Sequence, residues 1–141
     1  MSDLVIDASV AVKWFVTEEY SEKADEVSAS DHTLLAPRLI MAEVANALTR
    51  KAMQKLITPP EAAEYVRTLP QFFAGLIDVE DLIEPALQNA CSYMHPIYDF
   101  VYLEVARRRN TRMLTADQKF LARVKGTNLA KFVILLSEWR A

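Results

Sequence analysis

The chain has 141 residues, 52% of them hydrophobic and 25% charged, the balance of a globular protein with enough apolar material for a sizeable core. Two glycines, two histidines and one cysteine leave no material for a phosphate-cradling glycine loop, a helical histidine pair for zinc, a cysteine zinc cluster or an intrachain disulfide. Nineteen acids against sixteen bases give a net charge of −3, so any nucleic-acid contact has to rest on a local basic patch or on bound metal ions.

The first element is "LVID" (4–7), a short apolar run without alternation and therefore a buried strand. "SVAVKWFV" then reads as a short helix and "EEYSEKADEVSAS" as a polar, amphipathic one. "HTLLAP" (32–37) is a second strand that stops at Pro37. Residues 38–54 carry the strongest helical pattern, with Ile40, Val44, Ala47 and Leu48 on one face. "TPPE" (58–61) starts the next helix: Thr58 caps it, prolines fit its first turn, and Glu61 completes a capping box. That helix runs to about Phe73, "LIDVE" (76–80) is a third strand, and residues 81–95 are helical.

After Pro96 comes the helix "IYDFVYLEVARRR" (97–109), then the strand "RMLT" (112–115). A short helix in "ADQKFLARVKG" closes at Gly126, and "FVILL" (132–136) is the last strand. Alternating strands and helices predict a three-layer α/β/α sandwich with a central parallel sheet, and no linker or repeat divides residues 1–141 into more than one domain. No apolar run of about 20 residues spans a bilayer and no secretory leader is visible. With a lone cysteine, the cytoplasm is the expected compartment.

In an open parallel sheet, ligands bind beyond the carboxyl ends of the strands. Asp7 ends the first strand and Asp117 follows the strand ending at Thr115. Glu43 lies early in the long helix after the second strand, and Asp99 in the first turn after Pro96. Singly, each has a local explanation. Asp7 caps the next helix, Thr115 and Gln118 match a capping box around Asp117, Asp99 suits a helix start, and Glu43 faces solvent or forms an ion pair. Their surroundings weigh against that. Asp99 interrupts "IYDFVYLEVA" and Glu43 sits within "LIMAEVANAL", both nearly all apolar, with no basic or histidine partner one turn ahead of Asp99. Acids are seldom buried unless paired or bound to metal. All-oxygen ligation favours Mg²⁺ or Mn²⁺ and suits phosphoryl displacement by water.

"VIDASV" with Asp7, "EVANAL" with Glu43, "YDFVYLEVA" with Asp99 and "MLTAD" with Asp117 resemble the PIN-domain ribonucleases, and most of all the VapC-type toxins of toxin–antitoxin pairs. The resemblance covers essentially the whole chain in length and motif order. It implies a PIN-like fold and a Mg²⁺- or Mn²⁺-dependent endoribonuclease with Asp7, Glu43, Asp99 and Asp117 as its acidic site. Glu43 is then either a ligand or the group that positions the attacking water. Ser9 and Thr115 match the family's small hydroxyl positions and Asn46 its polar companion on the long helix. A homodimer and a cognate antitoxin covering the site are implied as well. The departures are Phe100 and Glu104, where the family usually has small residues; Glu104, five residues past Asp99, points about 140° away.

"ARRRNTR" offers Arg107, Arg108, Arg109 and Arg112 either as a phosphate grip beside the acidic pocket or as cations at a helix carboxyl terminus, the second being favoured. Trp14 and Phe15 suit core packing better than an antitoxin groove, and His32, His95 and Cys91 are expected to be structural or surface residues. Two other classes compete: a non-catalytic PIN-like RNA- or protein-binding module, and a haloacid-dehalogenase-like phosphatase. The phosphatase needs a second Asp two residues after the first, where this chain has Ser9.

Overall fold

The computed structural model describes residues 2–141. Five strands form one sheet: β1 (Asp3–Ile6), β2 (Thr33–Pro37), β3 (Gly75–Ile77), β4 (Met113–Thr115) and β5 (Val133–Leu135). All neighbours are parallel, in the order β3-β2-β1-β4-β5. Seven helices connect them: α1 (Ala8–Ala11, continued by a 3-10 turn over Val12–Trp14), α2 (Ser21–Ser28), α3 (Leu39–Met53), α4 (Pro59–Thr68), α5 (Ile83–Tyr93), α6 (Ile97–Arg108) and α7 (Gln118–Val124). From β1 the chain steps outward to β2 and β3, then returns across β1 to β4 and β5. Right-handed crossovers therefore place α1–α4 on one face and α5–α7 on the other, the expected α/β/α sandwich.

Several boundaries differ from the sequence reading, each for a local reason. The helix expected from residue 18 starts at Ser21, because Tyr20 is left-handed (φ 66°) and the Ser21 hydroxyl accepts from Glu18 N at 2.8 Å. The Thr58–Glu61 capping box forms reciprocally at 3.2 and 2.8 Å, but α4 tightens to a 3-10 turn after Thr68, where Pro70 removes a backbone donor. β3 ends at Ile77, and Asp78 turns out to Arg38. α7 stops where Gly126 takes φ +83°, as a helix carboxyl cap favours.

α6 packs on β1, β2 and β4 with α5 beside it, so Phe100 to Ala106 are all buried, Glu104 included. Glu104 points away from Asp99, as its spacing requires, and accepts from Arg107 at 3.0 and 2.7 Å and from Arg108 at 2.8 Å. Burial raises its pKa, but the two guanidinium groups outweigh that and hold it below the usual carboxylate range. Glu104→Gln is therefore expected to lower stability by roughly 1–3 kcal/mol, the scale of charge-assisted hydrogen bonds lost at a buried acceptor. A urea midpoint equal to that of the parent would contradict this.

Candidate metal centre

The sheet's order reverses between β1 and β4, because connections leave these neighbouring strands in opposite directions. That opens a crevice at their carboxyl ends. Asp7 follows β1 directly and Asp117 follows β4 by one residue, and each also caps the helix that starts there. Asp7 Oδ1 accepts from Ala8 N at 2.9 Å, and Asp117 Oδ1 accepts from Lys119 N and Phe120 N at 2.9 and 3.2 Å. Capping and a place in the crevice are thus compatible. A carboxylate has two oxygens, and one suffices for the cap.

Two hydroxyls fix Asp7. Ser9 Oγ donates to Asp7 Oδ2 at 2.6 Å and Thr115 Oγ1 donates to the same oxygen at 2.8 Å. The lone pairs of both hydroxyls are used by the β4–α7 loop, Ala116 N donating to Ser9 and Asp117 N to Thr115, each at 3.0 Å. The loop is therefore held to Asp7. Three of the roughly four acceptor positions on Asp7 are filled, which leaves room for one more contact.

The other two acids arrive from helices on opposite faces. Glu43 on α3 and Asp99 on α6 line one cleft of about 540 Å³ with Asp7, Ser9, Asn46 and Asp117. Tyr102, three residues after Asp99, donates its hydroxyl to Glu43 Oε1 at 2.6 Å and so joins the two helices. His95 Nε2 stands 2.8 Å from Asp99 Oδ2, and donor atoms of His95, Asp99 and Asp117 lie within 4.8 Å of one another.

Burial and mutual repulsion shift the protonation of these groups. Burial, followed by Asp7, Asp117 and Glu43, pushes Asp99 up to about 8. Burial is also the main cause that raises Asp7 and Glu43 and the one that lowers His95. The 2.8 Å contact between His95 Nε2 and Asp99 Oδ2 requires a proton on one of the two atoms. Carboxylate oxygens with one imidazole nitrogen form a donor set that could hold a divalent cation.

Two sequence readings need correction. His95, expected to be structural, joins the cluster: Asp99 has no partner one turn ahead, but His95 is one turn behind, across Pro96. Met94 turns left-handed (φ 54°) and His95 N donates to Ala90 O, which brings the imidazole against Asp99, where Phe100 and Phe120 pack on its ring. The helix cap is Asp117 itself, with Thr115 turned to Asp7 rather than forming a box with Gln118. Of the two readings of the arginines, the favoured one holds for three of them: they are cations at a helix carboxyl terminus and do not flank the acids. Arg107, Arg108 and Arg109 close the carboxyl end of α6, about 12 Å or more along the axis from Asp99, where Arg108 also meets Asp81 and Arg109 approaches Asp3. Arg112 lines a separate cleft with Asp3 and Lys131.

The bases that do line the acidic cleft are Lys13, Arg50 and Lys51, which the sequence reading did not single out. Glu18 joins two of them, 3.3 Å from Lys13 and 2.8 Å from Lys51. Trp14 and Phe15 are occupied by packing, Trp14 stacking on Phe72 at 4.2 Å and Phe15 on Tyr65 at 5.2 Å. His32 bonds Ser2, and Cys91 is exposed.

The family pattern described as "PIN domain" matches residues 4–126. Ribonuclease VapC3 of Pyrobaculum aerophilum is 30% identical over 118 residues, covering 82% of this chain and 90% of that protein. The crystal structure of PAE2754 from Pyrobaculum aerophilum shares the fold, with a TM-score of 0.69 and 20% identity over 96% of this chain and 85% of that one.

Proposed function

This chain belongs to the PIN-domain family, and on that premise we propose that it is a Mg²⁺- or Mn²⁺-dependent endoribonuclease, the toxin of a toxin–antitoxin pair. The observation that carries the reading is the convergence of four acids from four segments on one cleft, three of them acting on Asp99. Four such carboxylates repel one another, and a divalent cation is the counter-charge that fits them. Asp7, Asp99 and Asp117 would hold it directly or through water, and Glu43 would be a further ligand or orient the attacking water. A cation there acidifies water and neutralises charge on phosphoryl oxygens. RNA as the substrate follows the name of the related ribonuclease. A cytoplasmic homodimer with a bound antitoxin is part of the same proposal; no helix among the described residues is long and apolar enough to cross a membrane.

The protein's own groups divide the work. Ser9 and Thr115 keep Asp7 aimed at the crevice, and Tyr102 holds one oxygen of Glu43 so that the other faces the cleft. In this reading a water oxygen attacks phosphorus and gives up its proton to Glu43. The bond from phosphorus to one ribose oxygen breaks, and that oxygen takes a proton from solvent. The phosphatase alternative loses its second acid, since Ser9 at that position spends its proton on Asp7.

Attack by water rather than by the ribose 2′-hydroxyl decides the products. A 2′-deoxy substitution at the scissile nucleotide is expected to leave cleavage intact, with no 2′,3′-cyclic phosphate formed. Cyclic phosphate ends, or cleavage abolished by that substitution, would contradict the reading. Tyr102→Phe tests the support of Glu43. A hydrogen bond to a carboxylate favours its charged form, so its loss raises the Glu43 pKa. The acid limb of the pH–rate profile is expected to move to higher pH with little change in folding. An unmoved limb would show that Tyr102 is only a packing residue.

A further inference from the structure

The cleft has two poles, and the carboxylates account for only one of them. α3 faces it with a single stripe, Glu43, Asn46, Ala47, Arg50, Lys51 and Gln54, at helical spacings of three and four. The acid lies at one end of the stripe, and the bases start seven residues on, about 10 Å along the axis. Lys13 reaches the same wall from the 3-10 turn after α1. Its side chain is only 10% exposed, an unusual state for lysine without a partner. Glu18 partners both Lys13 and Lys51, so this trio keeps one positive charge. Arg50 is exposed and meets no carboxylate among the described residues, which adds a second.

We propose that Lys13, Arg50 and Lys51, aligned by Glu18, are the track that grips the RNA phosphates next to the scissile one. The inference rests on the ribonuclease reading. A strand whose scissile phosphate lies among the acids carries its neighbouring phosphates beyond reach of a cation held there, and along α3 those neighbours meet the basic pole. A purely structural bridge would need one lysine for Glu18, not two with an unpaired arginine beside them. Glu18 holds the two ammonium groups in place before RNA arrives and competes with phosphate for them. Arg107 and Arg108, tied to Glu104 at the far end of α6, are left out of the track.

The test uses Asp7→Asn protein, so that RNA is bound without turnover, and a fluorescently labelled single-stranded RNA titrated over a range of KCl concentrations. Adding Arg50→Ala and Lys51→Ala is expected to weaken binding about tenfold at low salt. The log–log salt slope should fall by about 1.4, near 0.7 for each lost phosphate contact on a single strand. Adding Glu18→Gln instead is expected to tighten binding several-fold, since it frees both lysines; a merely structural bridge would not produce that gain. In the cleaving enzyme, the Arg50→Ala, Lys51→Ala pair should raise KM rather than lower kcat. Unchanged affinity and slope in the folded double substitution, or weaker binding with Glu18→Gln, would overturn the track. So would weakened binding of a polyglutamate peptide with RNA affinity unchanged, which would give the wall to a protein partner. If the enzyme cleaves RNA while the substitutions change nothing, the track falls and the ribonuclease reading stands. A reduced slope without any cleavage would give the reverse.

Discussion

Asp99→Asn is expected to reduce RNA cleavage by at least about 100-fold, the scale of losing one preorganised electrostatic group, and to make the metal-free protein more stable at pH 8.5. The two effects have one cause. Asp99 is partly buried beside Asp7, Asp117 and Glu43, which push its pKa up to about 8. Above that pH its charge is carried at the expense of the fold, and asparagine has the same shape without the charge. A gain of about 1–2 kcal/mol, or about 3–8 °C in Tm for a chain of this size, is expected. At pH 5 the gain should be much smaller, and it should vanish only below the ordinary value of 3.8, where the folded and unfolded states both hold the proton. The sign follows from linkage. The folded pKa is near 8 and the ordinary value is 3.8, so between these limits only the folded state holds the proton and stability falls as pH rises. Asp7 and Glu43, also raised, act in the same sense; His95, lowered, acts oppositely but only below its ordinary value of 6.5. A substitution that lowers Tm equally at both pH values would show that Asp99 is held by ordinary packing.

Cation affinity is expected to rise with pH for the same reason. A ligand must shed its proton to bind metal, so Mn²⁺ affinity should climb by about tenfold per pH unit from 6.5 toward 8 while Asp99 is the group that deprotonates. At 100 times its dissociation constant, the ion should stabilise the fold by about 2.7 kcal/mol and reverse the decline of Tm with pH. Calorimetric titration in buffers of different ionisation enthalpy would count the proton released. An affinity flat across this range, or no proton released, would separate Asp99 from the metal.

Much of this arrangement was legible in the sequence because strands and caps are local. "LVID" announced a strand with an acid at its carboxyl end, which the structure places one residue past the strand, and "TPPE" a capping box that forms as written. Asp99 and Glu43 stood out because each interrupts an apolar helix. What the sequence could not show depends on turns and on distance in three dimensions. His95 lies beyond the start of α6, and only the left-handed turn at Met94 brings it to Asp99. Glu18 meets Lys51 across 33 positions, and Tyr102 meets Glu43 across 59; no helical periodicity encodes either pairing. The place of the arginines, by contrast, was legible, since Arg107 to Arg109 end the same helix that Asp99 begins.

The central claim is that these acids cut RNA through a divalent cation. The most direct measurement is the cleavage of one labelled RNA by antitoxin-free protein in Mn²⁺ and then in EDTA, with Asp7→Asn assayed beside it. Cleavage that requires Mn²⁺ and disappears with Asp7→Asn is the expected result. Cleavage that persists in EDTA and in the substituted protein would contradict the account.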